Sequence, residues 1–304
     1  MLRRRLNCVR EKAGMADDTT AGLDKLREEI DRIDGELHGL LRERAAIVKR
    51  IGLAKRSAGG DTTAFIRPGR EAAVMRALSE RHDGALPEAV VIRIWREIMS
   101  AACFMQQPLK VALYAPERSI SHWDLARSHF GVLTPIQLCG SAQRVLQEAS
   151  TGEGTVGILP WPEHDEAQPW WSNLAAEDSE TMNVVGVLPF FESSTGRFES
   201  RRLMVVATYP PEASGDDHSY LIARTDPELS RARLSTLLES AGLAGSVLAT
   251  HEKDGHMLQL LEVAGFIARD DERIAQLTTA AGGAIELVKA VGAAAVPLGI
   301  LDQN

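Results

Sequence analysis

At 304 residues the chain can hold two or three packed domains, and its 44% apolar and 25% charged content is that of ordinary globular protein. A net charge of −8, with no basic run beyond the first few residues, argues against nucleic acid and anionic membrane as partners. Cys8, Cys103 and Cys139 are scattered and form no C-x-x-C pair, so neither a disulfide framework nor a zinc site is expected, and a reducing, cytoplasmic setting is.

The basic start "MLRRRLNCVREKAGM" has no apolar centre and is not read as a secretory signal. Residues 1–20 are expected to be disordered, or mis-assigned with Met15 as the start. No apolar run approaches the roughly 20 residues of a membrane helix. From 21 to 107 every signal is helical. A first helix from Leu23 to Arg56 carries apolar residues at steps of three and four: Leu23, Leu26, Ile30, Ile33, Leu37, Leu40, Ile47 and Ile51. "SAGGDTTAF" reads as a loop. "RPGREAAVMRALSERH" starts a second helix with Pro68 in its first turn. "LPEAVVIRIWREIMSAACFMQQ" is a third, with Val91, Ile94, Trp95, Ile98, Met99, Ala102 and Met105 as its expected apolar face.

At Gln107-Pro108 the period switches. "KVALYA", "PIQLCG" and "TVGILPW" read as short buried strands separated by two helices, the β-α-β-α-β order of an α/β layer. "MNVVGVLPFF" and "RRLMVVATY" add two strands to this region, 108–212. Over 216–300 the order becomes strand, helix, strand, strand, helix, strand, a ferredoxin-like α+β unit of about 80 residues.

"GEGTVG" matches G-x-G-x-x-G, but it follows a helix and opens a strand, the reverse of a phosphate-binding loop, and is read as a helix end plus a turn. His251 and His256 flank a hairpin turn. No nucleophile motif, metal site or cofactor loop appears. What stands out is cationic. Arg44 interrupts the apolar stripe of the first helix, with Arg27 and Lys55 on or beside the same stripe. The plainer alternative for Arg44 is a polar residue that fixes register in a helix seam, and for Arg27, Lys55 and Arg70 a solvated flank. A helix this long cannot bury its face within roughly 90 residues of chain, so pairing with a second copy is expected. Antiparallel pairing would gather Arg27 of one chain near Arg44 and Lys55 of the other, where either carboxylates or a small polyanionic ligand must compensate them.

These residues resemble a known family. "LREEIDRID", "LLRERAAIVKRIGLAK", "RPGREAAVMRAL" and "IWREIMSAACFMQ", over about 21–107, are similar to the all-helical chorismate mutases. The resemblance implies a three-helix domain in an intertwined homodimer with shared active sites, which takes dianionic chorismate to prephenate in phenylalanine and tyrosine biosynthesis without cofactor or metal. It further implies that Arg27 of the partner chain and Arg44 clamp the carboxylates, that Lys55 and Gln106 donate to the ether oxygen, and that Glu71 holds the ring hydroxyl with Arg70 beside it. Arg67 stands where the family often has an acid, and Ala102 where it often has Ser or Thr.

The rest resembles prephenate dehydratase with its motifs degraded. "YAPERSISHWDLA" has Ala115 and Arg118 in place of glycines, only Pro160 survives of a Pro-x-Glu-Asn-Ser stretch, and Arg201, Arg202 and Leu203 stand where Thr-Arg-Phe is usual. The catalytic threonine is missing unless a one-residue slip puts Ser200 there, and the interval from "VLPFF" to "RRLMVV" is too short for the family's second lobe. The last stretch resembles an ACT domain, which implies an amino-acid effector, with dimerisation as the plainer alternative. The expected whole is therefore an all-α mutase domain, 21–107, then a partial α/β dehydratase-like lobe and an α+β ACT-like domain. A bifunctional mutase–dehydratase and a non-catalytic regulatory partner of a shikimate-pathway enzyme are the competing readings.

Overall fold

The computed structural model describes residues 2–57, 66–115, 120–152, 154–164, 166–176, 182–191, 202–253 and 255–299, with side chains from residue 22 onward. The expected loop "SAGGDTTAF", the Arg118 position, Ser200 and Arg201 fall largely or wholly outside these ranges. The chain resolves into two units, Met1–Ser57 and Ala58–Asn304.

The first unit is a single helix, α1 (Leu2–Ser57). It begins well before the expected Leu23, so most of the segment read as disordered or mis-assigned is helical backbone. Residues 2–20 include four arginines, two leucines and two alanines and contain no proline, so no residue there removes a helical N–H. The stripe Leu23, Leu26, Ile30, Ile33, Leu37, Leu40, Ile47 and Ile51 is 45–61% exposed in the single chain. A helix that long holds far more apolar face than one chain covers.

In the second unit α2 (Pro68–Arg81) starts at a proline whose missing N–H costs nothing in the first turn, and α3 (Glu88–Gln106) follows Pro87. The two pack through Ala72, Met75, Ile92 and Met99, with Phe190 closing the cluster. The buried face of α3 matches the expected one only in part, at Met99 and Ala102. Ile92, Arg96, Met99, Ser100 and Ala102 are buried, whereas the expected Ile94 and Met105 are 44% and 49% exposed. Apolar residues nearly surround this helix at its N-terminal half, so periodicity alone could not choose between two stripes.

β1 (Lys110–Tyr114), α4 (Ile120–Phe130), β2 (Ile136–Cys139), α5 (Ala142–Thr151) and β3 (Thr155–Pro160) form the expected alternating layer, with β1 between β2 and β3 and parallel to both. β4 (Asn183–Leu188) and β5 (Leu203–Ala207) follow, β5 running antiparallel to both β3 and β4. Alternation sorts the strand residues to two faces. Val111, Leu113, Val156 and Ile158 meet Leu125, Ala126 and Phe130 of α4, while Ala112, Leu159 and Met204 meet Val145 and Ala149 of α5. Gly152 ends α5 ahead of β3, so "GEGTVG" is a helix end and a turn.

β6 (Asp217–Thr225), α6 (Arg231–Ser240), β7 (Gly245–Lys253), β8 (His256–Ala264), α7 (Glu272–Ala280) and β9 (Ile285–Ala295) adopt the ferredoxin-like order β9-β6-β8-β7. This unit is not separate from the layer before it. The two share one nine-stranded sheet, β2-β1-β3-β5-β4-β9-β6-β8-β7, joined by β4 and β9 at Val184 and Gly292. Gly292 has φ +146°, and a Cβ there would lie 2.1 Å from the Val184 carbonyl oxygen, so the join demands glycine. Among the described residues no helix is long and apolar enough to cross a membrane.

Candidate active site

Three of the six residues expected to bind substrate lie on α1. Arg27 is exposed and pairs with Asp24 one turn earlier, at 2.9 Å. Arg44 and Lys55 are half-buried, while the stripe residues Leu40, Ile47 and Ile51 are exposed, and Lys55 sits in the last turn. The other three are on α2 and α3. Arg70 is exposed, and its backbone N–H donates to Glu212 Oε2 at 3.3 Å. Gln106 Nε2 donates to the Ala102 carbonyl at 3.0 Å. Arg67, in the place of the usual acid, forms an ion pair with Glu212, its Nε 2.9 Å from Oε1.

Glu71 points into the second unit. Arg96 Nη1 donates to its Oε2 at 3.0 Å, and the Cys103 thiol lies 3.8 Å from Oε1. The side chains of Arg96 and Glu71 are 7% and 19% exposed. Burial pushes the Glu71 carboxyl above the ordinary range, opposed by Arg96, and burial likewise lowers the Arg96 guanidinium, opposed by Glu71. Around this pair, α2, α3, α4, β4, β5 and the end of β9 enclose a cavity of about 50 Å³ whose polar lining includes Ser100, Cys103, His129 and Tyr209. α4 is held against α3 at its C-terminus. The Ser100 hydroxyl donates to the Phe130 carbonyl and Glu97 Oε2 accepts from the Val132 N–H at 3.0 Å. Gly131, at φ +75°, makes the turn there.

Sequence reasoning missed Arg96, His129 and Tyr209. Arg96 had a signal of the kind that marked Arg44, a cation between apolar residues at helical spacing, here Ile92 and Met99. His129 and Tyr209 come from remote elements and had none. Burial holds the His129 imidazole well below its ordinary range, with Arg96 adding to the effect, and the same burial raises the Tyr209 phenol.

A stability consequence follows from His129. The folded chain keeps the imidazole neutral, while the unfolded chain protonates it near its ordinary value of 6.5. Below that pH the unfolded state binds the extra proton, so stability falls as pH falls, by up to about 1.4 kcal/mol per unit. Urea unfolding should show this loss between about pH 6.5 and 5, and His129→Gln should flatten it. A variant with the slope of the parent chain would contradict the assignment.

The first unit is thus one helix that carries Arg27, Arg44 and Lys55 on or beside its apolar stripe. Residues 26–107 match the family model for chorismate mutase type II, and this region carries that domain. The chain is 34% identical over 142 residues to the bifunctional chorismate mutase/prephenate dehydratase of Aquifex aeolicus. The match covers 45% of this chain and 38% of that relative, so the chain aligns with less than half of the bifunctional protein. Among solved structures, a quorum-quenching acylase, GqqA, is 15% identical with a TM-score of 0.45, covering 62% of this chain and 95% of that one. Prephenate dehydratase from Arthrobacter aurescens, in complex with L-Phe, is 11% identical with a TM-score of 0.44, covering 64% and 93%.

Proposed function

We propose that the protein is a chorismate mutase, an isomerase that converts chorismate to prephenate within aromatic amino-acid biosynthesis in the cytoplasm. The observation that carries this reading is the family match over 26–107 on a segment that keeps Arg27, Arg44, Lys55, Arg70, Glu71 and Gln106 together. The rearrangement is intramolecular, so the protein's task is to confine a reactive conformer and stabilise charge as the ether bond lengthens. Arg27 and Arg44 hold the two carboxylates, a task that suits the guanidinium fork. Lys55 and Gln106 donate to the ether oxygen, and Glu71, with Arg70 beside it, takes the ring hydroxyl through a carboxylate that Arg96 holds from behind.

The functional unit in this reading is a homodimer with mixed sites. The exposed stripe of α1 supports it, since each such side chain is worth about 1.5–3 kcal/mol when fully buried. The ACT-like unit at 216–300 is the place for an amino-acid effector, by the same resemblance.

The bifunctional relatives favour a second reading, in which the chain also dehydrates prephenate. The residues argue against it: the polar motif after Pro160 is gone, and dehydration needs a proton donor at the departing hydroxyl. One experiment tests both readings. Purified protein is incubated with chorismate, and the products are assayed for prephenate and phenylpyruvate. Prephenate alone is expected. No chorismate consumption would overturn the mutase reading, and enzyme-dependent phenylpyruvate would establish the bifunctional one.

A further inference from the structure

We propose that the cavity bounded by α3, α4 and the segment after β4 binds a small organic carboxylate with an apolar body, and that this ligand and Glu71 draw on the same guanidinium, Arg96. The cavity has a volume of about 150 Å³, whereas a single water needs only about 10–15 Å³ on this scale. Arg93 and Arg96, one turn apart on α3, supply its charge, and no acidic side chain lines it. Ile92, Leu125, Phe190 and Phe191 supply an apolar floor. An inorganic anion would leave that floor unused, and a neutral hydrocarbon would leave Arg93 without an anion and the cavity side of the Arg96 guanidinium without an acceptor. A carboxylate on a hydrocarbon satisfies both halves of the lining.

Arg96 provides an independent observation. It is 6% exposed. Among the described residues it meets only Glu71 Oε2, at 3.0 Å, and the Phe190 ring, 5.1 Å from the guanidinium carbon. Its other N–H donors make no further hydrogen bond among the described residues and none is a fully buried orphan, so they remain open to an acceptor that enters the cavity. Arg96 lines both this cavity and the smaller one that holds Glu71. His129 also lines both, and its imidazole, held neutral by burial, adds no charge of its own.

Two anions on one guanidinium oppose each other. Occupancy of the cavity therefore weakens the hold of Arg96 on Glu71, and an ionised Glu71 weakens the ligand. If the mutase reading holds, this is a route from the cavity to the residue that takes the ring hydroxyl. The binding itself does not depend on that reading.

The test is calorimetric titration of the full-length protein with 3-phenylpropionate near neutral pH, with no chorismate present. 3-Phenylpropanamide and sulfate serve as comparison probes. Saturable binding of the carboxylate is expected, about 10-fold or more tighter than either comparison probe. Arg93→Gln, at an exposed position, and Ser128→Leu, which fills the cavity from α4, should each weaken it by about 5-fold or more, and Glu71→Gln should tighten it by about 3-fold or more. Unfolding midpoints establish that each variant is folded. Absence of saturable binding, equal binding of the amide, or an affinity unmoved by Arg93→Gln or by Glu71→Gln would overturn the proposal. Because no turnover is read, those failures leave the mutase reading intact, and a protein that binds the probe without consuming chorismate would sink only the mutase reading.

Discussion

Arg44→Ala or Lys55→Ala lowers chorismate turnover by about 10²-fold or more, with the helical circular dichroism signal unchanged. Both side chains are half-buried on a helix whose apolar stripe is itself largely exposed, so neither is a core residue whose loss would unfold α1. In the proposed reaction they meet charge that grows as the ether bond breaks, and a contact that strengthens toward the transition state lowers kcat when removed. Near-parental turnover in either folded variant would overturn the site assignment. Arg27→Ala gives the same loss for a different geometric reason, since in the proposed dimer it serves the pocket of the partner chain. Mixing inactive Arg27→Ala with inactive Lys55→Ala chains therefore restores activity, because each heterodimer has one intact pocket and one doubly damaged pocket. At random pairing about a quarter of all pockets recover. Failure to recover despite confirmed exchange would count against shared sites.

The strands were legible because their side chains alternate between two buried faces, as Val111, Ala112 and Leu113 do. The ferredoxin-like unit was legible because strand and helix periods differ, and Leu234, Leu237 and Leu238 are buried as their spacing implies. Two things were not. The fusion of this unit with the preceding layer into one sheet rests on one close approach at Gly292, and a lone glycine in an Ala-rich strand does not announce a partner strand. The orientation of α3 was also hidden, since Ile94 and Ile92 are equally apolar and only tertiary packing selects one. The α1 cations could be read because they share one helix, where spacing maps directly onto geometry. The Glu71–Arg96 cavity draws on six elements spread from α2 to β9, and no local pattern encodes such convergence.

Arg96→Ala destabilises the second unit by about 3–5 kcal/mol, because it leaves the Glu71 carboxylate buried without its cation. The loss should be read from urea unfolding followed by tryptophan fluorescence. All five tryptophans, Trp95, Trp123, Trp161, Trp170 and Trp171, lie in the unit Ala58–Asn304, so the signal isolates it from α1. Removing one partner costs more than the pair is worth, since the survivor keeps its full desolvation penalty. Replacing both, with Arg96→Met and Glu71→Met together, should therefore recover much of the loss, as apolar side chains of similar length continue the packing of Ile92, Met99 and Phe190. The double variant would lack Glu71 and with it mutase activity, so stability and turnover should part company: restored folding, absent catalysis. An Arg96→Ala chain within about 1 kcal/mol of the parent would show that Glu71 finds solvent or another donor when Arg96 is gone, and that the pair does not lock α2 to α3.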